Sequence, residues 1–334
     1  MKKKLLLVAM FAFLFVGLVA CGNDDSGAPD EDPAPASEGP TGTGEELGEI
    51  VVVTPAAEHG WMAGVIYFAE QAGADIENFR ILTSSDVAEQ AGQLDELISQ
   101  GVGAIVLQPH TYELEVAADR VIEAGIPLIV FNRYVNVDYD AYVAGSNLQM
   151  GEESARKIGE GLDGEGIVIT VANPSAGSTS AVRNEGFANI MDEYFPNIER
   201  IEMTVENFTQ EAALSSMADV LVANPHIDAI FSIDDETSLG ILQAIREAGG
   251  RDDIQFISGG GGAQTYFQEI YNEEAMTLFS ATYSPRMMGD AIRTALTILQ
   301  GGTPALDADN QWIIPPTIIT RDNASNYFDA DSPY

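Results

Sequence analysis

The chain has 334 residues, 46% of them hydrophobic and 8% aromatic, enough for two packed domains of about 140 residues each and too much for a wholly disordered chain. Fifteen Lys and Arg stand against 52 Asp and Glu, a formal net charge of -37. A polyanion this strong repels nucleic acid and anionic lipid head groups, which excludes DNA binding and charge-driven membrane association.

Three of the four lysines are Lys2, Lys3 and Lys4, and no basic residue follows until Arg80. This basic start, the apolar run Leu5 to Ala20 and its small final residues have the form of a secretory signal peptide, residues 1–20, to be removed on export. The run is short for a permanent membrane span. The only cysteine, Cys21, stands where the run stops, in Leu18-Val19-Ala20-Cys21-Gly22, and the string resembles a bacterial lipobox. That resemblance implies a diacylglyceryl thioether on Cys21, cleavage before it and a lipid-anchored protein on the extracytoplasmic face of the cell membrane. The plain alternative is a chance cysteine behind an ordinary signal peptide. Without a second cysteine no intrachain disulfide can form, so stability rests on packing. Residues 21–48 read as a disordered acidic tether, since Gly22 to Glu49 holds nine acidic residues and no aromatic or basic one. The acidity itself reads as a solubility device and names no substrate.

From Glu49 onward, short β-branched runs alternate with longer amphipathic segments. Glu49 to Thr54, Phe79 to Thr83, Gly103 to Leu107 and Ile126 to Phe131 are apolar on both faces, as in a parallel sheet covered by helices. Between them, Trp61 to Ala74, Val87 to Gln100 and Leu114 to Ala124 have helical spacing, the last two closed by Gly101 and Gly125. A second series follows Asn147. Its strands are Ile167 to Val171, Arg200 to Thr204, Ala229 to Ile233, Ile254 to Ile257 and Met276 to Ala281. Its helices are Gln149 to Leu162, Ser178 to Tyr194, Gln210 to Ala223, Glu236 to Ala248 and Ala263 to Tyr271. Alternation of this kind predicts an α/β protein with two doubly wound parallel sheets, and the crevice between their carboxyl strand ends is the default ligand site.

Four segments then carry a resemblance: VFNR at Val130 to Arg133, RNEGF at Arg183 to Phe187, NPHIDAIFSIDDETSLGIL at Asn224 to Leu242, and TYSPRMMG at Thr282 to Gly289. In order and spacing, from about Ile50 to Thr320, the chain resembles the type I periplasmic binding proteins, particularly the ribose- and galactose-binding group. The resemblance implies two lobes joined by a three-strand hinge, closing over a small polar ligand and presenting the closed form to an ABC permease. It places crossings near Ser146 to Asn147, Tyr283 to Ser284 and Trp312 to Pro315. Lobe 1 is then 49–146 plus 284–311, lobe 2 is 147–283 plus 312–321, and 322–334 is a C-terminal tail. The helix Arg286 to Leu299 returns to lobe 1.

A hydroxylated ring offers an apolar face and an equatorial belt of donors and acceptors, so its site needs aromatic platforms and paired planar polar groups. Glu58, His59 and Trp61 follow the first strand, where the family places an Asn and stacking aromatics. Trp61 is therefore expected as a platform, or else as the start of the helix core, and Glu58 or His59 as a polar contact. Asn132 and Arg133 end the fourth strand, where Arg133 can fork two hydroxyls while Asn132 both donates and accepts. By resemblance, Arg183 opens a lobe 2 helix as a sugar-contacting arginine, Phe208 stacks on the ring or packs in the core, and Asp234 meets hydroxyls while Asp235 caps the helix from Glu236. Tyr283 takes a hinge-side position often held by Gln.

One departure stands out. Where the family's ribose and glucose receptors have an aspartate, this chain reads Ser258-Gly259-Gly260-Gly261-Gly262, so Gly260 contributes space or backbone N–H groups, or the run is a flexible turn. No Gly-Lys-Ser/Thr follows, which argues against a phosphate loop. Enzyme readings are weak: His59, His110 and His226 lack metal-ligand spacing, no nucleophile elbow is present, and neither Asp234-Asp235 nor Asp138-x-Asp140 sits in a hydrolase or calcium-loop pattern. The expectation is a monomeric, non-enzymatic binding protein without metal or cofactor. It captures a sugar-like ligand for the transmembrane subunits of an ABC permease; the alternative is a sensor lipoprotein that passes a sugar or furanone-like signal to a kinase or chemoreceptor.

Overall fold

The computed structural model describes residues 47–57 and 60–334; the expected signal peptide, Cys21 and tether residues 21–46 lie outside them, as do Glu58 and His59. In chain order the first half runs β1 (Ile50–Pro55), α1 (Gly60–Gly73), β2 (Phe79–Ser84), α2 (Val87–Gln100), β3 (Ala104–Leu107), α3 (Glu115–Glu123), β4 (Leu128–Phe131) and β5 (Ala141–Gly145). The second half runs α4 (Asn147–Gly161), β6 (Glu165–Ala172), α5 (Ser178–Tyr194), β7 (Asn197–Thr204), α6 (Gln210–Ala223), β8 (Ala229–Phe231), α7 (Asp235–Glu247), β9 (Phe256–Gly261), α8 (Gln264–Asn272) and β10 (Thr277–Thr282). The chain then returns through α9 (Met287–Leu299), β11 (Gln311–Ile314) and β12 (Ile318–Ile319).

Two six-stranded sheets result, ordered β11-β5-β4-β3-β1-β2 and β12-β10-β9-β8-β6-β7. Every pairing is parallel except the antiparallel contact of β12 with β10. In the central strands both faces are covered, which is why β1, β3 and β4 read as continuous apolar runs. The faces of the first sheet are filled by one cluster around Val52, Val106 and Phe131 with Met288 and Ile292 of α9, and by another around Val53, Leu107, Leu94 and Leu128. The second sheet has matching clusters around Ile257 with Tyr266, and around Phe231 with Phe187.

Helix ends follow local chemistry. Asp86 accepts from Glu89 N at the start of α2, and Gly101 closes that helix in the left-handed conformation at φ 67. Thr209 caps α6 and Ser146 caps α4.

The chain passes between the sheets at Ser146, at Tyr283–Ser284 and over 315–317. The third passage corrects the expected boundary at Trp312: β11 pairs in register with β5 from Gln311↔Tyr142 to Ile314↔Gly145, so Trp312 belongs to the first sheet. Strands β5, β11 and β12 were absent from the sequence reading. They are short and make sense only beside their partners. The tether also ends earlier than 48, because Leu47 O accepts from Asn78 Nδ2 at 3.2 Å and Gly48 lies on Gly103. The segment 322–334 is more than a tail: Ala324 is buried and Phe328 meets Tyr271 edge-on at 5.9 Å.

Helices α4 and α5 approach at backbone distance. A Cβ on Gly151 would stand 2.0 Å from Arg183 O, and one on Gly186 2.1 Å from Leu148 O. Both obstacles are main-chain atoms, which cannot swing aside. Gly151→Ala is therefore expected to lower unfolding free energy by about 2 kcal/mol through overpacking. Urea unfolding measures this, and an unshifted midpoint would contradict the packing.

Candidate functional site

A cavity of about 320 Å3 opens between the carboxyl ends of the two sets of strands. Eight of the ten expected ligand residues line it: Trp61, Asn132, Arg133, Arg183, Phe208, Asp234, Gly260 and Tyr283. The other two, Glu58 and His59, fall outside the described residues.

On the lobe 1 side, β4 delivers Asn132 in the left-handed conformation, φ 61, which asparagine tolerates. Tyr142 Oη donates to Asn132 O at 2.8 Å, and Tyr283 Oη donates to Asn132 Oδ1 at 2.8 Å. One lone pair of the side-chain oxygen is thus engaged, and the second, with the amide N–H groups, remains open toward the cavity. Arg133 stands at the exposed rim and donates from Nη1 to Pro109 O at 3.2 Å, which leaves other guanidinium N–H groups for a ligand. Trp61 is both wall and core. Its Nε1 donates to Tyr283 O at 2.7 Å, its ring stacks on Phe131 at 6.4 Å, and it packs against clusters of both lobes. Only an indole face remains as a platform.

From lobe 2, Arg183 lies in the second turn of α5 rather than opening it. It is 7% exposed, and donates from Nε to Asn147 Oδ1 at 2.8 Å and from Nη1 to Ile233 O at 2.6 Å. Its guanidinium also lies over the Tyr283 ring at 5.3 Å. Phe208 lines the cavity and packs on the cluster around Phe231.

The capping role falls to Asp234, which also lines the cavity, and Asp235 takes neither expected part. Asp234, not Asp235, caps α7: it accepts from Thr237 N at 2.9 Å and from the Thr237 hydroxyl. The backbone at Asp234 is extended while Asp235 is already helical, so Asp235 points into the core. There it accepts from Gly262 N at 2.7 Å, Ala263 N at 2.8 Å and Ser280 Oγ at 2.7 Å. Burial pushes the Asp234 carboxyl up to about 7, against the pull of Thr237 and Arg183 and with a push from Asp235. Burial also raises Asp235, and Ser280 with the β9–α8 backbone draws it back.

The glycine run is not a turn. Gly259 to Gly261 continue β9, and a Cβ at Gly259 would stand 2.3 Å from Asp235 Oδ1 and 2.4 Å from the Tyr266 ring. Glycine there makes room for a buried carboxylate beneath the cleft floor.

Sequence reasoning missed several wall residues. Gln108 follows β3 just as Asn132 follows β4, and it accepts from Thr54 Oγ1 at 3.0 Å. Asn147 opens α4 directly after the first crossing, Glu236 follows the two aspartates, and Tyr334 comes from the far end of the described chain. The strand-end rule could have found Gln108. No local signal marks Tyr334.

Two α/β lobes that share one polar cleft, with three passages of chain between them, define a ligand-capturing clamshell. The chain belongs to the periplasmic binding protein family: residues 50–303 match the periplasmic binding protein domain. These are solute-binding proteins rather than enzymes. The chain is 28% identical over 214 residues to a D-apiose import binding protein of Actinobacillus succinogenes, covering 62% of this chain and 68% of the relative. It is 29% identical to a xylitol-binding protein of Mycolicibacterium smegmatis over 50% of this chain and 48% of the relative, and 27% identical to a ribose import binding protein of Bacillus subtilis over 49% and 54%. The chain thus spans about half the length of the latter two.

Among solved structures, a solute-binding protein of Actinobacillus succinogenes with bound D-allose superposes with a TM-score of 0.73 at 19% identity, covering 84% of this chain and all of that one. Another, from Bacillus halodurans with bound myo-inositol, gives 0.72 at 21% identity, covering 87% and 100%. At these identities the likeness is one of fold.

Proposed function

We propose that the protein captures a monosaccharide or small polyol in the cleft between its lobes and delivers it to the transmembrane subunits of an ABC permease. The observation that carries the reading is the wall chemistry. Aromatic faces from Trp61, Phe208 and Tyr283 surround forked or paired polar groups from Arg133, Arg183, Asn132 and Asn147. This is the complement of a ring with apolar faces and an equatorial belt of hydroxyls. Relatives named for D-apiose, xylitol and ribose import support the same class.

Ligand contacts reach both lobes, so the closed form binds more tightly and capture shifts a hinge equilibrium without any reaction. The lobes already meet at one rim, where Glu236 Oε1 of α7 stands 2.9 Å from the place of a Gly60 side chain on α1. On this reading the protein works as a monomer, held to the extracytoplasmic membrane face through lipid on Cys21, with the acidic residues before Leu47 as its tether.

Thermal melting of the purified protein against pentoses, hexoses, polyols and sugar acids tests the ligand class. A ligand bound only by the native state at a hundred times its Kd adds about 2.7 kcal/mol of stability. Calorimetry of the hit should give a Kd near ~1 μM, about -8 kcal/mol. Arg133→Ala and Trp61→Ala should each raise that Kd tenfold or more. No melting shift across the whole set would refute the reading, and unchanged affinities would remove the two residues from the site.

A further inference from the structure

We propose that Tyr334 is a specificity-determining residue of the cleft, its phenol donating a hydrogen bond to one oxygen of the bound sugar or polyol; this rests on the proposed sugar-binding function. Tyr334 lines the cavity at 8% exposure, yet its Oη has no hydrogen-bond partner among the described residues. A phenol that faces the cleft with no partner among the described residues can bond a ligand oxygen without giving up a bond to the protein.

Three glycines shape a seat for this ring. A Cβ at Gly60 would stand 2.9 Å from Tyr334 Cδ2, one at Gly64 3.2 Å from Tyr334 Cβ, and one at Gly261 2.3 Å from Tyr334 Oη. Gly60 and Gly64 belong to α1 in lobe 1 and Gly261 to β9 in lobe 2, so the ring lies between the lobes. Its oxygen takes the space that a side chain on the last residue of β9 would fill.

The chain leading to it is also anchored on both sides. Asp329 N donates to Gln264 Oε1 of α8 at 2.8 Å, which fixes the segment to lobe 2. The Asp329 carboxylate pairs with Arg286, just before α9, at 2.9 Å and accepts from Tyr67 Oη of α1 at 3.5 Å, which fixes it to lobe 1. A segment outside both sheets thereby supplies a cleft residue whose position depends on how the lobes meet. Burial, reinforced by the charges of Asp235, Asp234 and Glu236, holds the phenol protonated, so toward a ligand oxygen it can act as a donor.

The test is calorimetry of wild type, Tyr334→Phe and Arg183→Ala with D-ribose, D-allose, xylitol and myo-inositol, and with monodeoxy forms of whichever binds. Tyr334→Phe keeps the ring and removes only a hydroxyl without a partner among the described residues, so the ligand-free melting temperature should not move. The expected result is a fivefold or greater rise in Kd for the parent compound. In addition, one monodeoxy compound that wild type binds at least fivefold more weakly than the parent should bind Tyr334→Phe as well as the parent does. If Tyr334→Phe binds the whole set like wild type while Arg183→Ala loses it, the assignment fails and the sugar-binding reading stands. If wild type binds none of these four nor any pentose, hexose, polyol or sugar acid of the melting screen, that reading fails and the assignment falls with it.

Discussion

Arg183→Ala is expected to weaken ligand binding at least 100-fold. The guanidinium is held by Asn147 and the Ile233 carbonyl, and its remaining N–H capacity faces the cavity. Removing it deletes a forked donor and leaves Ile233 O and Asn147 Oδ1 short of a partner inside the cleft. One lost charged hydrogen bond to the ligand, together with two acceptors left without a partner once the ligand covers them, costs about 3 kcal/mol or more, at least about two orders of magnitude in Kd. Arg183→Lys keeps the charge but offers a point donor in place of a planar fork, so a loss of roughly tenfold is expected. Titration calorimetry separates the two. A lysine variant as impaired as the alanine variant would place the effect in geometry alone, and wild-type affinity in both would remove Arg183 from the site.

Asp234 is expected to make the stability of the protein depend on pH between about 4 and 7. An unfolded aspartate titrates near ~4, whereas burial holds the folded carboxyl at about 7. Across that window the folded state keeps a proton that the unfolded chain has released. The Asp234 contribution is therefore most favourable below about pH 4, declines as pH rises through the window and is level above about 7. Three pKa units correspond to at most about 4 kcal/mol. The groups facing Asp234 are Arg183 from α5, Asp235 and Thr237 from its own helix, and Tyr334 beside them. Asp235 and Glu236 are also raised, while Asp253 is lowered by its pair with Arg251, so the informative quantity is a difference between two proteins.

Asp234→Asn supplies that difference, because asparagine is accepted at a helix start. Measured by urea unfolding at pH 4.5, 6 and 7.5, the variant should gain stability relative to wild type as pH rises. Parallel curves would show that Asp234 does not titrate in this range. Ligand hydroxyls that donate to the ionised carboxylate release its proton on binding, so affinity should tighten from about pH 6 to 8 in wild type and stay level in the variant.

The repeating strand and helix pattern was written in the chain itself. Helices α2, α5 and α6 run from Val87 to Gln100, Ser178 to Tyr194 and Gln210 to Ala223, the bounds read from periodicity and punctuation. Apolar spacing and caps such as Asp86 and Thr209 act within one or two turns, and so they survive in the sequence. The cleft positions of Asn132, Arg133 and Asp234 were legible for a related reason, since parallel sheets present the residues just past their strand ends to one crevice.

Tertiary structure decided what depends on partners distant along the chain. Strand β11 exists because β5 lies beside it, and Gly259 of β9 is explained by Asp235, 24 positions earlier in the sequence. That Asp234 rather than Asp235 caps α7 turns on one backbone conformation, and Tyr334 enters the cleft only once two lobes and three glycines have made room for it. Local pattern sets which elements form, because helix caps and strand periodicity are short-range. Which polar groups are buried, paired or left facing a ligand is settled when the lobes come together.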